Sequence, residues 1–229
     1  ADQATDTPTN NFATLNPLDN GATLSEGNCE IVTSNADLFG SVSTIGMTAG
    51  KFYFEVKLIS ATSSDVFMLG ITGDPGEDNR NNYYPGQSTY AIGLDCSTGE
   101  YYKAGSASSG YGDACTDNDI VGVALDLTNN KLYFAKNGTW QDSGDPTSGA
   151  TGTGAIAVTA VTSTTSGAYH FTVGDGSGSH NTNMEINFGN PPYANSSDAA
   201  DANGYGAFEY APPSGYLALC TKNLGSDGG

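Results

Sequence analysis

The stretch GDPGEDNRNNYYPGQ, residues 73–87, carries the side chains best suited to holding a ligand. Tyr83 and Tyr84 offer flat aromatic faces for stacking on a sugar ring or a peptide. Arg80, the only arginine of the chain, can donate paired hydrogen bonds to a carboxylate or an acidic glycan. We therefore predict that Arg80, Tyr83 and Tyr84 bind a ligand. The alternative is a solvated loop whose tyrosines cover the edge of a sheet.

A second loop, EYYKAGSASSGYGDACTDN at residues 100–118, places Tyr101, Tyr102 and Tyr111 around small residues. Tyrosine together with serine and glycine is the composition of adaptable binding loops, so we add these tyrosines to the predicted ligand site. The alternative is a long hairpin without a ligand. Trp140, the only tryptophan, follows an Asn-Gly turn, and we interpret it as a plug in the core or at a sheet edge.

Asp74, Glu77 and Asp78 in the first loop supply carboxylate oxygens, which calcium prefers. Their spacing matches no known calcium loop, and the EF-hand pattern is absent. We predict no cofactor other than a structural calcium ion at these residues.

The sequence argues against catalysis. His170 lies in an alternating strand pattern and His180 in a Gly-Ser loop, and neither belongs to a known catalytic motif. The patterns GxSxG, HExxH and the phosphate-binding loop do not occur. We therefore predict that the protein is not an enzyme.

The four cysteines have no CxxC spacing, which argues against zinc and thioredoxin-like chemistry. Two disulfides are possible. We favour Cys96 with Cys115 across a hairpin, and Cys29 with Cys220 between the terminal regions. Free, buried thiols are the alternative.

The charge balance narrows the choice of partners. Seven basic against 25 acidic residues give a net charge of −18, which excludes nucleic acid as a partner because phosphate binding needs clustered lysine and arginine. No apolar run is long enough for a transmembrane helix, so we expect no membrane insertion. Strong acidity suits a salty extracellular setting, where ions screen the repulsion.

Alternating and apolar runs predict an all-β protein without substantial helices. Gly, Asn, Asp and Ser separate these runs at spacings typical of an antiparallel sandwich or barrel. The predicted strands are 50–59, 65–72, 88–95, 119–127, 129–138, 155–161, 168–174, 184–189 and 215–221.

Two of these strands differ in their predicted burial. In GKFYFEVKLI, 50–59, the apolar side chains from Phe52 to Leu58 share one face, while Tyr53, Glu55 and Lys57 share the other. This alternation predicts a half-buried strand. DVFMLGIT, 65–72, is almost entirely apolar, which predicts a central strand buried on both faces.

The order of these segments resembles the SPRY domain. The most specific match is DIVGVALDLTNNKLYFAKNGTW, 119–140, and GKFYFEVKL is a separate, distant match. The resemblance covers about residues 40 to 195. It implies a bent, two-sheet antiparallel β-sandwich, similar to jelly-roll and lectin folds, that binds ligands through loops at one end and has no catalytic residues.

The two ends, TPTNNFATLNPL and NFGNPPY…APPSGYLALCTKNL, resemble SPRY proteins of tailed bacteriophages. This resemblance implies a virion protein, a fibre, decoration or adhesion module, that binds a host-surface glycan or protein and other virion subunits or itself. The expected location is the virion surface. The alternatives are a purely structural capsid or tail block and a secreted bacterial binding module.

We predict an N-terminal arm at 1–26, either irregular or forming a short pairing strand, one sandwich domain at 27–223 and a flexible tail at 224–229.

Overall fold

Two antiparallel sheets packed face to face contain most of the regular secondary structure of the described residues, as the sequence predicts. The computed structural model describes residues 9–34, 38, 40–61, 67–78 and 83–227. Within this part of the chain, no helix is long and apolar enough to cross a membrane.

The strands and helices, numbered in chain order, are short. The strands are β1 (Leu15–Asn20), β2 (Thr23–Ser25), β3 (Glu30–Val32), β4 (Gly40–Ser43), β5 (Lys51–Ala61), β6 (Phe67–Thr72), β7 (Ala91–Asp95), β8 (Glu100–Lys103), β9 (Ser106–Ser108), β10 (Ile120–Asp126), β11 (Lys131–Lys136), β12 (Thr139–Trp140), β13 (Ile156–Ala157), β14 (His170–Asp175), β15 (Thr182–Asn187) and β16 (Leu217–Ala218). The helices are α1 (Pro75–Asp78) and α2 (Thr221–Asp227), and single 3₁₀ turns occur at Glu26–Asn28, Gln141–Ser143, Gly149–Thr151 and Val161–Ser163.

The seven-stranded sheet has the order β1-β4-β14-β6-β7-β8-β9, and the nine-stranded sheet has the order β12-β11-β10-β5-β15-β3-β2. In the second sheet, β13 pairs with β11, and β16 pairs with β5 in the one parallel pairing of the described strands. Neighbouring strands are often distant in sequence, so most of the pairing is long-range.

The main core lies between the sheets. Phe54 of β5 stacks on Phe171 of β14 with ring centroids 4.0 Å apart, and Phe188 stacks on both rings. Every residue of β6 is buried, which confirms the prediction of a central strand covered on both faces.

The prediction that β5 is half-buried is wrong for Tyr53 and Glu55, although Lys57 on the same face is partly exposed. Tyr53 and Glu55 are buried as completely as their apolar neighbours, because the C-terminal part of the chain covers the outer face of the nine-stranded sheet. A second apolar cluster forms there, which includes Phe12, Tyr53, Tyr133, Phe208 and Tyr216. The alternation of β5 therefore separates two cores rather than a core from water.

Other differences concern strands that depend on long-range partners. The predicted strands 155–161 and 215–221 reduce to β13 and β16, and α2 begins directly after Cys220. Residues 100–108, predicted as a loop, form the hairpin of β8 and β9. The predicted arm contributes β1 and β2 to the sheets, and α2 extends into the predicted tail.

Candidate binding site

The loop that joins β6 to β7 folds back over the seven-stranded sheet. Asp74 Oδ2 accepts a hydrogen bond from Tyr90 N at 3.1 Å, and Gly73 N donates to Tyr90 O at 3.0 Å. These bonds close the loop at its base, as expected for a compact surface loop.

Glycine allows the loop to lie directly on the strands. A Cβ atom at Gly93 of β7 would lie 2.1 Å from Pro85 O, and one at Gly86 would lie 2.8 Å from Gly93 N. Gly86 also has a φ of +102°, which disfavours other residue types. Backbone therefore packs on backbone, which fixes the position of the neighbouring Tyr84.

Tyr84 meets Tyr102 of β8 on the outer face of this sheet. Their ring centroids are 5.3 Å apart in an edge-to-face arrangement, a favourable geometry for aromatic pairs. Both rings are half-exposed. With Met68, Asp95 and Gly176 they line a shallow cleft of about 100 Å³, which we call the Tyr84–Tyr102 cleft.

Both phenols of the cleft keep their protons at neutral pH. Burial, with a smaller contribution from Tyr102, raises the pKa of Tyr84. Burial also raises the pKa of Tyr102, and the nearby Asp95 and Glu100 add to this shift. The cleft thus offers aromatic edges, neutral hydroxyl groups and the Asp95 carboxylate, which suit a polar ligand with a flat or apolar face.

The structure divides the predicted ligand residues into separate groups. Tyr101 points to the opposite side of β8 from Tyr102 and packs against the main core, edge-on to the buried Tyr111 at 5.5 Å. The Tyr111 hydroxyl accepts a hydrogen bond from Phe134 N at 3.1 Å. Tyr101 and Tyr111 thus do not join the Tyr84–Tyr102 cleft.

Two other predicted ligand residues are less defined. Tyr83 is half-exposed beside Tyr84. Arg80 lies outside the described residues, so its part in binding stays a prediction.

Of the three predicted calcium ligands, only Asp74 has a described side chain. Asp74 is buried and holds Tyr90, while Glu77 and Asp78 lie on α1, whose described part does not include their side chains. Among the described residues, no group of three or more His, Cys, Asp or Glu side chains is placed to hold a metal ion. Structural calcium stays a prediction.

The two histidines make separate local contacts. His170 Nδ1 lies 2.8 Å from Ser43 O, and burial lowers the pKa of its imidazole. His180 Nδ1 lies 3.0 Å from Ser177 Oγ in the β14–β15 loop.

The four cysteines, all in the described part of the chain, are buried thiols rather than disulfides. Cys115 N donates to Cys96 O at 2.6 Å, so the two residues are backbone neighbours. Their thiols share a hydrogen bond, which together with burial raises the pKa of Cys96. Oxidation of Cys96 with Cys115, and of Cys29 with Cys220, stays a prediction.

Sequence reasoning missed Met68, Asp95 and Gly176 as lining of the cleft. Met68 and Asp95 are opposite each other in the β6–β7 register, and only the pairing of the strands brings them beside Tyr84. Their own sequence neighbourhoods gave no binding signal.

Comparison with known proteins identifies the fold and the family. The SPRY domain family model matches residues 51–175, which is more than half of the chain. The chain belongs to the SPRY domain family. SPRY domains are generally binding modules, typically for proteins, and this chain has the fold of such a module.

The curated relatives match only part of this SPRY chain. The Ran-binding proteins 9/10 homolog of Drosophila melanogaster is 28% identical over 94 residues, 41% of this chain and 10% of that protein. Ran-binding protein 9 of Danio rerio is 29% identical over 94 residues, 41% of this chain and 15% of its own length. Ran-binding protein 9 of Xenopus laevis is 27% identical over 122 residues, 50% of this chain and 22% of its own length.

Solved structures support the fold alone. The SPRY domain of human HERC1 aligns with a TM-score of 0.58 at 12% identity, over 75% of this SPRY chain and 96% of that domain. Stonustoxin aligns with a TM-score of 0.54 at 16% identity, over 77% of this chain and 27% of its own.

Proposed function

We propose that this SPRY chain is a non-enzymatic recognition module whose Tyr84–Tyr102 cleft binds a cell-surface protein or glycan. The observation that carries the proposal is the half-exposed aromatic pair, 5.3 Å between centroids, formed by Tyr102 on β8 and Tyr84 on the loop that packs against β7. Aromatic side chains on fixed elements are favoured at binding surfaces because they bury a large area at low entropic cost.

We further propose that the module is displayed on a phage virion, as a fibre, decoration or adhesion protein, and contacts other virion subunits or its own copies. The resemblance of both ends of the sequence to phage SPRY proteins supports this setting. The net charge of −18 also suits an extracellular particle.

Recognition is tested by screening the purified protein against host cells and a glycan array, followed by the double variant Tyr84→Ala/Tyr102→Ala. We expect at least tenfold weaker binding with an unchanged melting temperature, because both rings are half-exposed. Tyr205→Ala is the matched control, since this half-buried tyrosine lies instead under Lys222, 5.2 Å from the ring centroid. Undiminished binding by the double variant would remove this cleft as the site.

Display on a particle is tested separately by light scattering after size exclusion. A trimer or larger closed assembly is expected, since virion appendages are built by symmetric repetition. A stable monomer that still binds cells would contradict display on a particle, but it would still support the proposed recognition function.

A further inference from the structure

A second groove lies at the edge of the nine-stranded sheet, between residues 110–113 and 139–143. Its volume is about 370 Å³, and it shares no lining residue with the Tyr84–Tyr102 cleft. Tyr111, Asp113, Trp140, Gln141 and Asp142 are among the residues that line it. We call it the Trp140 groove.

Gln141 locks the two walls of the groove together. Its side chain is buried, its Oε1 accepts a hydrogen bond from Asp113 N at 2.7 Å, and its Nε2 donates to Thr139 O at 2.9 Å. The contact is tight, because a Cβ atom at Gly112 would lie 2.9 Å from Gln141 Oε1. Tyr111 anchors the first wall to Phe134 N. The groove is therefore preformed, which lowers the entropic cost of binding.

The groove is lined by Trp140 and by two aspartates, Asp113 and Asp142, that form no ion pair with a described lysine. Trp140 is half-buried, held edge-on by Tyr53 and Tyr133, each 6.4 Å away between ring centroids. Asp113 and Asp142 are exposed.

The ion pairs among the described residues are Lys51 with Asp126 and Lys136 with Asp119, so they leave Asp113 and Asp142 unneutralised. Lys136 Nζ also donates a hydrogen bond to Ala114 O at 2.6 Å. This bond holds the ammonium group beside the groove and not inside it.

We propose that the Trp140 groove binds an arginine side chain of a partner protein. A guanidinium group stacks on an indole face through cation–π attraction and donates charge-assisted hydrogen bonds to carboxylates. The net charge of −18 steers a cationic segment towards the molecule. This inference does not depend on the function proposed for the Tyr84–Tyr102 cleft.

The sole tryptophan of the chain reports directly on this groove. We would titrate the full chain with the peptide acetyl-Gly-Arg-Gly-amide at constant ionic strength and follow Trp140 fluorescence. The same peptide with citrulline in place of arginine is the neutral control of equal shape. We expect a saturable change with the arginine peptide and none with the citrulline peptide.

Asp142→Asn tests the carboxylate and should weaken arginine-peptide binding about tenfold. Asp198→Asn is closely matched, because Asp198 is also exposed and has a φ of +48° against +50° for Asp142, yet it does not line the groove. The control variant should bind like the natural protein.

Three results would overturn the proposal. Equal fluorescence changes with both peptides would show that the charge is not recognised. Equal weakening in both aspartate variants would show attraction to overall charge alone. A saturable response to a neutral disaccharide such as maltose, without one to arginine, would make this a sugar groove.

Discussion

At the scale of single residues, Glu55 is the position where the alternating pattern and the structure differ most. Its carboxylate is fully buried between β5 and the C-terminal segment. It accepts hydrogen bonds from Tyr53 Oη at 3.0 Å, Asn187 Nδ2 at 3.2 Å, Tyr193 Oη at 3.2 Å, Glu209 N at 2.9 Å and Tyr210 N at 2.8 Å. One side chain thus binds two sheet strands and the segment that covers them.

We expect Glu55→Gln to lower the free energy of unfolding by about 2–4 kcal/mol, measured by urea denaturation. The NH₂ group of the glutamine amide would face the hydrogen-bond donors that now contact Glu55. The buried network would therefore lose one of its two acceptor oxygens. Glu100→Gln is the control, because Glu100 on β8 is half-exposed and its replacement should change stability by about 0.5 kcal/mol or less. If the two variants have the same stability, Glu55 does not hold the C-terminal segment.

At the scale of elements, the candidate site depends on a loop that lies on a sheet. Pro85 and Gly86 contact Gly93 of β7 so closely that no side chain fits between them. Gly105 N also donates to Gly86 O at 2.9 Å, which ties the loop to the β8–β9 turn. Gly93 of β7 and Gly86 of the loop therefore help to position Tyr84, together with its neighbours in sequence.

Gly93→Ala should push the loop off β7 and separate Tyr84 from Tyr102. We expect a loss of about 1–3 kcal/mol in stability, the usual range for overpacking, and weaker ligand binding in the screen described above. Gly76→Ala, in the same loop, has no atom within 4 Å of the added Cβ and serves as control. Unchanged binding by Gly93→Ala would mean that the loop position does not matter for recognition.

At the scale of the whole molecule, acidic charge dominates. The chain has 25 acidic and seven basic residues, and the lysines described are largely engaged within the fold. Lys51 and Lys136 form ion pairs, Lys103 Nζ donates to Ala157 O, and Lys57 lies over Tyr193. Most carboxylates therefore repel one another without neutralisation.

We expect the melting temperature to rise as sodium chloride increases from about 0.02 to 0.5 M, because shorter Debye lengths weaken this repulsion. Potassium chloride should give the same rise. Calcium chloride at matched ionic strength separates screening from specific binding: extra stabilisation that EDTA removes would support the predicted structural calcium. A melting temperature that falls with either monovalent salt would contradict the role of repulsion.

The sequence by itself determined the fold class, the family and the central strands of the sheets. Alternation in GKFYFEVKL and the apolar run at Phe67–Thr72 are local patterns, and each follows from the period of a strand and the need to bury apolar surface. Only the tertiary structure decided which tyrosines lie side by side. Tyr101 and Tyr102 are adjacent in sequence but lie on opposite faces of β8, and Tyr102 meets Tyr84 because the loop folds onto β7.

Contacts between distant parts of the chain also explain why the burial of Glu55 and the short strands could not be predicted from the sequence. Whether the outer face of β5 contacts water depends on a segment that begins more than 130 residues later, at Asn187 and beyond. Strands such as β1 and β16 exist only because a distant strand offers hydrogen bonds. Local pattern cannot encode such partners, because burial on both faces and edge pairing are properties of the assembled chain.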